Sequence, residues 1–527
     1  MNTAATVENG PVPARVRLAD LLAGLSIAID LGFGLPPESA MRSCLVATRL
    51  ARLHGLGDSD VRDSFFTSLL LHVGCPGFSH ETAALFGNEL AVTRAVARTN
   101  LADPADYETT LIPEATRGLS PTVARGVAER LMREGPAFGA RYDRASCEIG
   151  SRIARRIGIG SGVERALYEV AEWWNGDGAP QQLREDAIAP AARVAHLAAD
   201  AVVLVDLGGA ELAVDGVRRR SGSILDPTLV ETFAANASEV LDRSGDPREM
   251  LLEEEPQPVD ERKLGELPAI AAVFGDVADL KFPSLHGHSS GVATLALGAA
   301  RCLRLDDRTA TDVQVAAHLH DLGRLAVTNA IWEKPGPLTS AEWEQVRMHA
   351  YHSERILATS GTLAHLAPLV GMHHERLDGS GYHRGCGARE QPTAVRVLAA
   401  ADAFQAMTQD RPHRPRLPAE RAADELAHDA RAGKLDSECV AAVLEAAGQA
   451  RPRPHDLRPS GLSAREIDVL RLVAAGCSNP EIAAQLVISR RTAEHHVQHI
   501  YGKVGVRSRP ALALFAMEHG LLSSGVE

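Results

Sequence analysis

The sequence predicts an all-α protein: two tandem, related helical units followed by a smaller four-helix unit. Three observations carry this. Apolar residues recur mostly at helical spacing, as in Leu22, Ile27, Ala28 and Leu31. Aromatic residues make up only 4% of the chain while Ala and Leu abound, which favours helices over sandwiches or barrels. A segment before residue 75 is echoed by one before residue 324. At 527 residues the chain exceeds what one core can serve, and its length fits about three to four domains.

The net charge of −13 excludes a protein that coats nucleic acid or membrane along its whole surface, so a polyanion must be met locally. The seven cysteines are scattered, odd in number and never spaced as CxxC, a pattern of reduced thiols. No run of about 18 uninterrupted apolar residues occurs, and no basic segment followed by an apolar one opens the chain. These features point to a soluble, cytoplasmic protein with no membrane partner.

In chain order, residues 1–14 read as a disordered tail and residues 15–250 as the first helical unit. Within it Ala201–Leu207 (AVVLVDL) is the best strand candidate, but its surroundings favour a continuing buried helix. The acidic, proline-containing stretch Glu253-Glu254-Glu255-Pro256-Gln257-Pro258 predicts a linker over 251–264. The second unit spans 265–448. A second break, QARPRPHDLRPS, predicts a linker over 449–460.

The second unit carries His288, the pair His320-Asp321, His349, the pair His373-His374, and Asp402. Ten of the chain's 21 histidines lie between 286 and 383. Imidazole nitrogens and carboxylate oxygens are what a divalent transition metal takes. Because Asp321 directly follows His320, one carboxylate can bridge two ions while the imidazole binds one of them. Two cations about 3.5–4 Å apart can activate water and clamp a phosphodiester for in-line attack. The donor mixture suits iron first and manganese second, and either better than magnesium.

The stretch HSSGV…HDLGR…H…HHERLDGSGYH…AAADAFQAM…DRPHR resembles the HD-GYP family of HD phosphohydrolases over roughly residues 265–445. The resemblance implies one metal held by His288, His320, Asp321 and Asp402, and a second by Asp321, His349, His373 and His374. It implies hydrolysis of cyclic di-GMP to pGpG or GMP, with Asp321 and Arg324 catalytic. Tyr382 would pack on the substrate, and Arg411 and Arg414 would meet phosphate or guanine, which suits arginine's planar fork. Four positions depart from the family pattern. Arg324 stands where lysine is usual, His383 replaces the proline of Gly-Tyr-Pro, and Gln405 replaces an acidic residue. Ser284 stands where three-metal members carry glutamate, which favours two metals. The same residues would also serve a site that senses a nucleotide or metal without turnover, or one acting on another phosphoester.

Aligned at His72 and His320, the first unit places Ala40 opposite His288, Val73 opposite Asp321, and Ser146 opposite His349. Val170 and Ala171 stand at the paired histidines, so only His72 and Asp200 keep ligand chemistry. Residues 15–250 therefore read as a degenerate HD-like copy without metal ligands, with a scaffold or dimerisation role.

In the last unit, 461–527, Ser463 and Glu466 form a capping box for a helix ending near Gly476. Asn479 is the expected cap of a short helix with Pro480 in its first turn, and Ser489 opens RRTAEHHVQHIYGKV. A last helix starts near Ser508-Pro510. This segment resembles the LuxR-type helix-turn-helix domain, which docks its third helix in the major groove and often binds as a dimer. Transferred here, Arg490, Arg491, Thr492 and Lys503 would meet phosphates of double-stranded DNA, and Glu494, His495 and Gln498 base edges. Seven basic against six acidic residues leave the unit near +1. Weak binding by one copy follows, and a homodimer is expected.

Overall fold

The computed structural model describes residues 15–412, 414–449, 460 and 462–522. The expected tail 1–14 and the expected linker from 450 to 459 lie outside the described residues. Among those described, helices dominate, and the only named strands are Arg15–Arg17 and Glu261–Lys263, paired antiparallel with Arg15 opposite Lys263. Ala201–Leu207 lies inside the helix Pro190–Arg220, which kinks at Gly208 and Gly209.

The stretch expected as a linker over 251–264 is structured. Helix Pro247–Glu254 runs into it and the second strand closes it. Two of its three glutamates are paired, with Glu253 exposed: Arg49 reaches Glu254 at 2.6 Å, and Arg17 donates from Nε to the buried Glu255 at 2.9 Å.

The element order repeats. Helices Leu18–Phe33, Ser39–Leu53 and Asp58–Leu69 are matched by Leu267–Leu280, His288–Cys302 and Asp307–Leu319, each trio followed by a short 3₁₀ turn. The two units share one hydrophobic core. Helix Leu18–Phe33 is buried along nearly its whole length because it is wedged against the second unit. Gly24 permits that approach: a Cβ there would lie 2.7 Å from Ser360 Cβ. Buried Asp20 fastens the contact, accepting from Ser360 Oγ at 2.9 Å and Thr362 N at 2.9 Å while paired with Arg248.

The last unit contains helices Ala464–Ala474, Asn479–Gln485, Arg490–Val504 and Arg509–Glu518. The capping box of Ser463 and Glu466 is present, and Ser489 caps the third helix. The second helix is capped one residue earlier than expected. Ser478 and Glu481 form a reciprocal box that satisfies two free amide donors, leaving Asn479 in the first turn, where Arg509 donates to its side chain. Helix Arg509–Glu518 packs between the two larger units. Arg152 of the first unit holds Glu518, and Arg507 N donates to Glu148 at 3.0 Å.

Candidate metal centre and DNA-reading helix

The seven candidate ligands reach one point from five places in the fold. His288 begins its helix just after Gly287, whose φ of 77° turns the chain inward. Asp279 fixes that first turn, accepting from Ser289 N and Ser289 Oγ, each at 2.8 Å. His320 and Asp321 follow the helix Asp307–Leu319, His349 lies inside Ser340–Thr359, His373 and His374 follow Ala367–Gly371, and Asp402 lies inside Thr393–Met407.

Asp321 stands between two groups of imidazoles. Its Oδ2 is 3.4 Å from His288 Nε2 and 3.1 Å from His320 Nε2. Its Oδ1 is 3.3 Å from His349 Nε2 and 3.6 Å from His373 Nε2. Asp402 Oδ1 lies 3.2 Å from His288 Nε2, and its Oδ2 lies 3.6 Å from His374 Nδ1. Two overlapping groups bring one donor atom per residue within 4.8 Å of each other: Asp321, His349, His373 and His374 form one, and His288, His320 and Asp321 another. A third combines His320, His373 and Asp402.

The imidazoles are aimed by their other nitrogens. His320, His349 and His373 each place Nδ1 against the backbone carbonyl three residues earlier, at Ala317, Val346 and Val370. His288 places Nδ1 2.9 Å from Gln409 Oε1. Each of these four thereby turns Nε2 inward, as metal-ligating histidines do. At the centre His288 Nε2, His320 Nε2, both Asp321 oxygens and Asp402 Oδ1 are buried without a hydrogen-bond partner. Leaving buried polar atoms unsatisfied is costly, and cations would satisfy all five at once. The donor set fits divalent metal binding.

The local electrostatics agree. Burial would lower the proton affinity of His320, but the negative charge of Asp321 and Asp402 raises it to about 10, so a metal ion binding there would displace a proton. Burial lowers His349 to about 4, leaving the neutral imidazole that ligation requires.

Around the cluster, Arg324 is buried with Nε 2.8 Å from Asp321 Oδ2 and its guanidinium 4.7 Å from the Trp332 ring centre. Tyr382 lies against His374, with ring centres 4.4 Å apart. Arg411 reaches to 3.4 Å from His288 Nδ1. Arg414 does not join them. It donates to the carbonyls of Ala406, Met407 and Pro415 and so clamps the turn that carries Arg411. Gln409 and Trp332 were not anticipated as site residues. Gln409 is 121 positions from His288, and only folding juxtaposes them. Trp332 packs edge-on against His349, a contact that appears only in three dimensions.

In the first unit, His72 stacks on Phe33 with ring centres 4.0 Å apart, and Asp200 pairs with Arg220 at 3.2 Å. Both are engaged in packing or pairing. Among the described residues, all metal-competent groups lie in the second unit.

On helix Arg490–Val504, Ala493, Val497 and Ile500 are buried, and Arg490, Arg491, Thr492, His495 and Gln498 are exposed. Glu494 is half-buried and accepts from Arg490 at 2.9 Å. Lys503 binds Glu466 at 2.7 Å, joining the third helix to the first.

Residues 272–439 match the HD domain family, and residues 460–516 match the bacterial regulatory proteins of the luxR family. The chain is 30% identical over 440 residues to a 3′3′-cGAMP-specific phosphodiesterase of Vibrio cholerae serotype O1, covering 81% of this chain and 94% of that protein. It is 38% identical over 179 residues to a cyclic di-GMP phosphodiesterase of Thermotoga maritima, spanning 48% of that protein. A crystal structure of a cyclic GMP-AMP specific phosphodiesterase from V. cholerae superposes with a TM-score of 0.57 at 27% identity, over 82% of this chain and 98% of that one. No helix among the described residues is long and apolar enough to cross a membrane. The ligand cluster, the matched domains and the near full-length relative agree: the chain belongs to the HD-GYP-like, metal-dependent cyclic dinucleotide phosphodiesterases and carries a LuxR-family DNA-binding domain.

Proposed function

We propose that the protein is a DNA-binding transcription regulator whose second unit hydrolyses cyclic di-GMP to pGpG or GMP at a bimetallic centre, with iron the first and manganese the second candidate metal. The observation that carries this is Asp321, whose two buried oxygens each face a different pair of imidazoles, Oδ2 also meeting Arg324 Nε. His288, His320, Asp321 and Asp402 would hold one ion, and Asp321, His349, His373 and His374 the other. When bound, the two ions supply Lewis-acid charge for water activation and phosphate clamping.

The chain's own groups do the rest. Arg324, stiffened by stacking on Trp332, would neutralise charge developing on the attacked phosphate. Tyr382 forms an aromatic wall on which a base or ribose can rest. Arg411 offers its guanidinium at the His288 side, and Arg414 supports it by holding the turn. In the DNA-binding domain, Arg490, Arg491 and Thr492 would meet phosphates, and Glu494, His495 and Gln498 would read bases. Lys503 would act from its tie to Glu466. A homodimer would supply the second half-site that a nearly neutral domain needs.

A second substrate, 3′3′-cGAMP, is favoured by one observation: the relative that shares both helical units is specific for it by name. The test is to load the full-length protein with iron or manganese and incubate it with each dinucleotide, following products by chromatography. Cleavage of cyclic di-GMP supports the first reading, and cleavage of 3′3′-cGAMP alone the second. No linear or mononucleotide product from either, with metal bound, would leave a sensing role or another phosphoester as substrate. Asp321→Ala should abolish turnover and two-metal loading together.

A further inference from the structure

The segment that follows Asp321, residues 322–333, delivers Arg324 and Trp332 to the ligand cluster. On one side it is pressed onto the His349 helix: Gly323 N donates to Ser353 Oγ at 2.9 Å, and a Cβ at Gly323 would meet His349 O at 2.0 Å. On the other side it rests on Lys281, which is fully buried and donates from Nζ to Leu325 O at 2.6 Å and Val327 O at 2.9 Å. A buried ammonium needs a counter-charge. That charge comes from the first helical unit. Glu89, itself buried, lies 3.2 Å from Lys281 Nζ. The same carboxylate accepts from Thr328 Oγ1 at 2.8 Å and Asn329 N at 3.0 Å. The Asn329 side chain donates back to Lys281 O at 2.9 Å, and His80, also of the first unit, meets Glu333 at 2.8 Å.

We infer that Glu89 is a positioning residue of the phosphodiesterase centre: through Lys281 and the backbone of 325–329 it holds Arg324 and Trp332 against the metal ligands. The inference rests on the function proposed above. It gives the unit without ligands a definite task, completing the wall of a site it does not line. A carboxylate is required because it alone both balances the buried ammonium and accepts from two donors of the segment.

The experiment uses the full-length, metal-loaded protein and compares wild type with Glu89→Gln, Lys281→Met and the double variant. Kinetics are followed on the better cyclic dinucleotide and on bis(para-nitrophenyl) phosphate, with metal content and peptide-resolved hydrogen exchange alongside. For Glu89→Gln, kcat should fall at least about tenfold with KM within about twofold, since misplacing a transition-state group costs kcat. Metal content should be retained, and exchange should quicken within 322–333. The double variant should lose no more than the worse single one, because the pair acts as a unit. Unchanged kcat in a folded Glu89→Gln, multiplicative losses, or quickened exchange spread over the whole chain would overturn the inference. If Glu89→Gln does not fold, Thr328→Val removes a single bond to the carboxylate. It should still slow kcat about threefold and quicken the same segment; no change in either would count against the idea. Should wild type cleave neither substrate, the proposed function fails. The exchange arm still decides whether Glu89 orders 322–333.

Discussion

Arg152 donates from Nε to both carboxylate oxygens of Glu518, at 2.9 and 2.7 Å, and lays its guanidinium 5.1 Å from the Phe515 ring centre. This one side chain joins the long helix Pro121–Ile157 of the first unit to the last helix of the DNA-binding domain. Arg156 extends the contact, pairing with Asp276 at 2.8 Å in the second unit. The DNA-binding domain is thus docked against both larger units.

Arg152→Ala should loosen that docking by about 1–2 kcal/mol, since a largely buried charge pair and a cation–π contact are lost together. Hydrogen exchange in helix Arg509–Glu518 should quicken, while the helices of the metal centre stay as protected as in wild type. Equal protection of both regions would show that the ion pair contributes nothing to docking.

Gln409→Leu removes the acceptor that fixes the His288 ring. Outer partners of this kind are worth about 10–100-fold in metal affinity. Metal titration should show one of the two ions weakened by that factor and the other, held by His349, His373 and His374, unchanged. Equal weakening of both would argue against two distinct subsites.

Acid should unfasten the first helix of the DNA-binding domain. Burial alone would raise the Glu466 carboxyl, but the Lys503 ammonium and the Ser463 N–H bring it down to about 2 from an ordinary 4.5. A lowered folded value stabilises the fold above the unfolded one and is lost as the pH falls. Its contribution is therefore full above about pH 4.5 and gone below about pH 2. It amounts to about 1–2 kcal/mol after allowing for the partly exposed Lys503. Exchange protection of Ala464–Ala474 followed from pH 6 to pH 3 should fall in wild type and be flatter in Glu466→Gln.

On DNA, Gln498→Ala should relax preference at about one base position by about 1–3 kcal/mol, because Gln498 is exposed on the reading face. Arg491→Ala should weaken binding to all sequences alike and lower the salt slope by about 1. Quantitative binding over a range of salt and half-site variants separates the two. Identical behaviour would contradict the assigned orientation of the helix.

Local signals carried far in this chain. Helical spacing, the capping box at Ser463, the cap at Ser489, and the seven metal-capable residues all have causes within a few positions of themselves or in side-chain chemistry. Asn479 shows the limit of that reasoning. Two adjacent residues could each cap, and only the reciprocal bond from Glu481 chose Ser478. Arg414 shows another. It carries the charge expected at a phosphate, yet three nearby carbonyls take up its donors.

The sequence by itself determined the helical class, the seven metal-capable residues that the fold gathers at one point, and the helices of the LuxR-family domain, because periodicity, capping and donor chemistry are local properties. Tertiary structure alone decided which oxygen of Asp321 faces which histidine, that Gln409 steadies His288, and that Glu89 of the ligand-free unit balances Lys281 beneath Arg324. It also set a helix and a strand on either side of the acidic, proline-bearing stretch expected as a linker. Those outcomes depend on burial, and burial is set by packing between residues that lie tens to hundreds of positions apart.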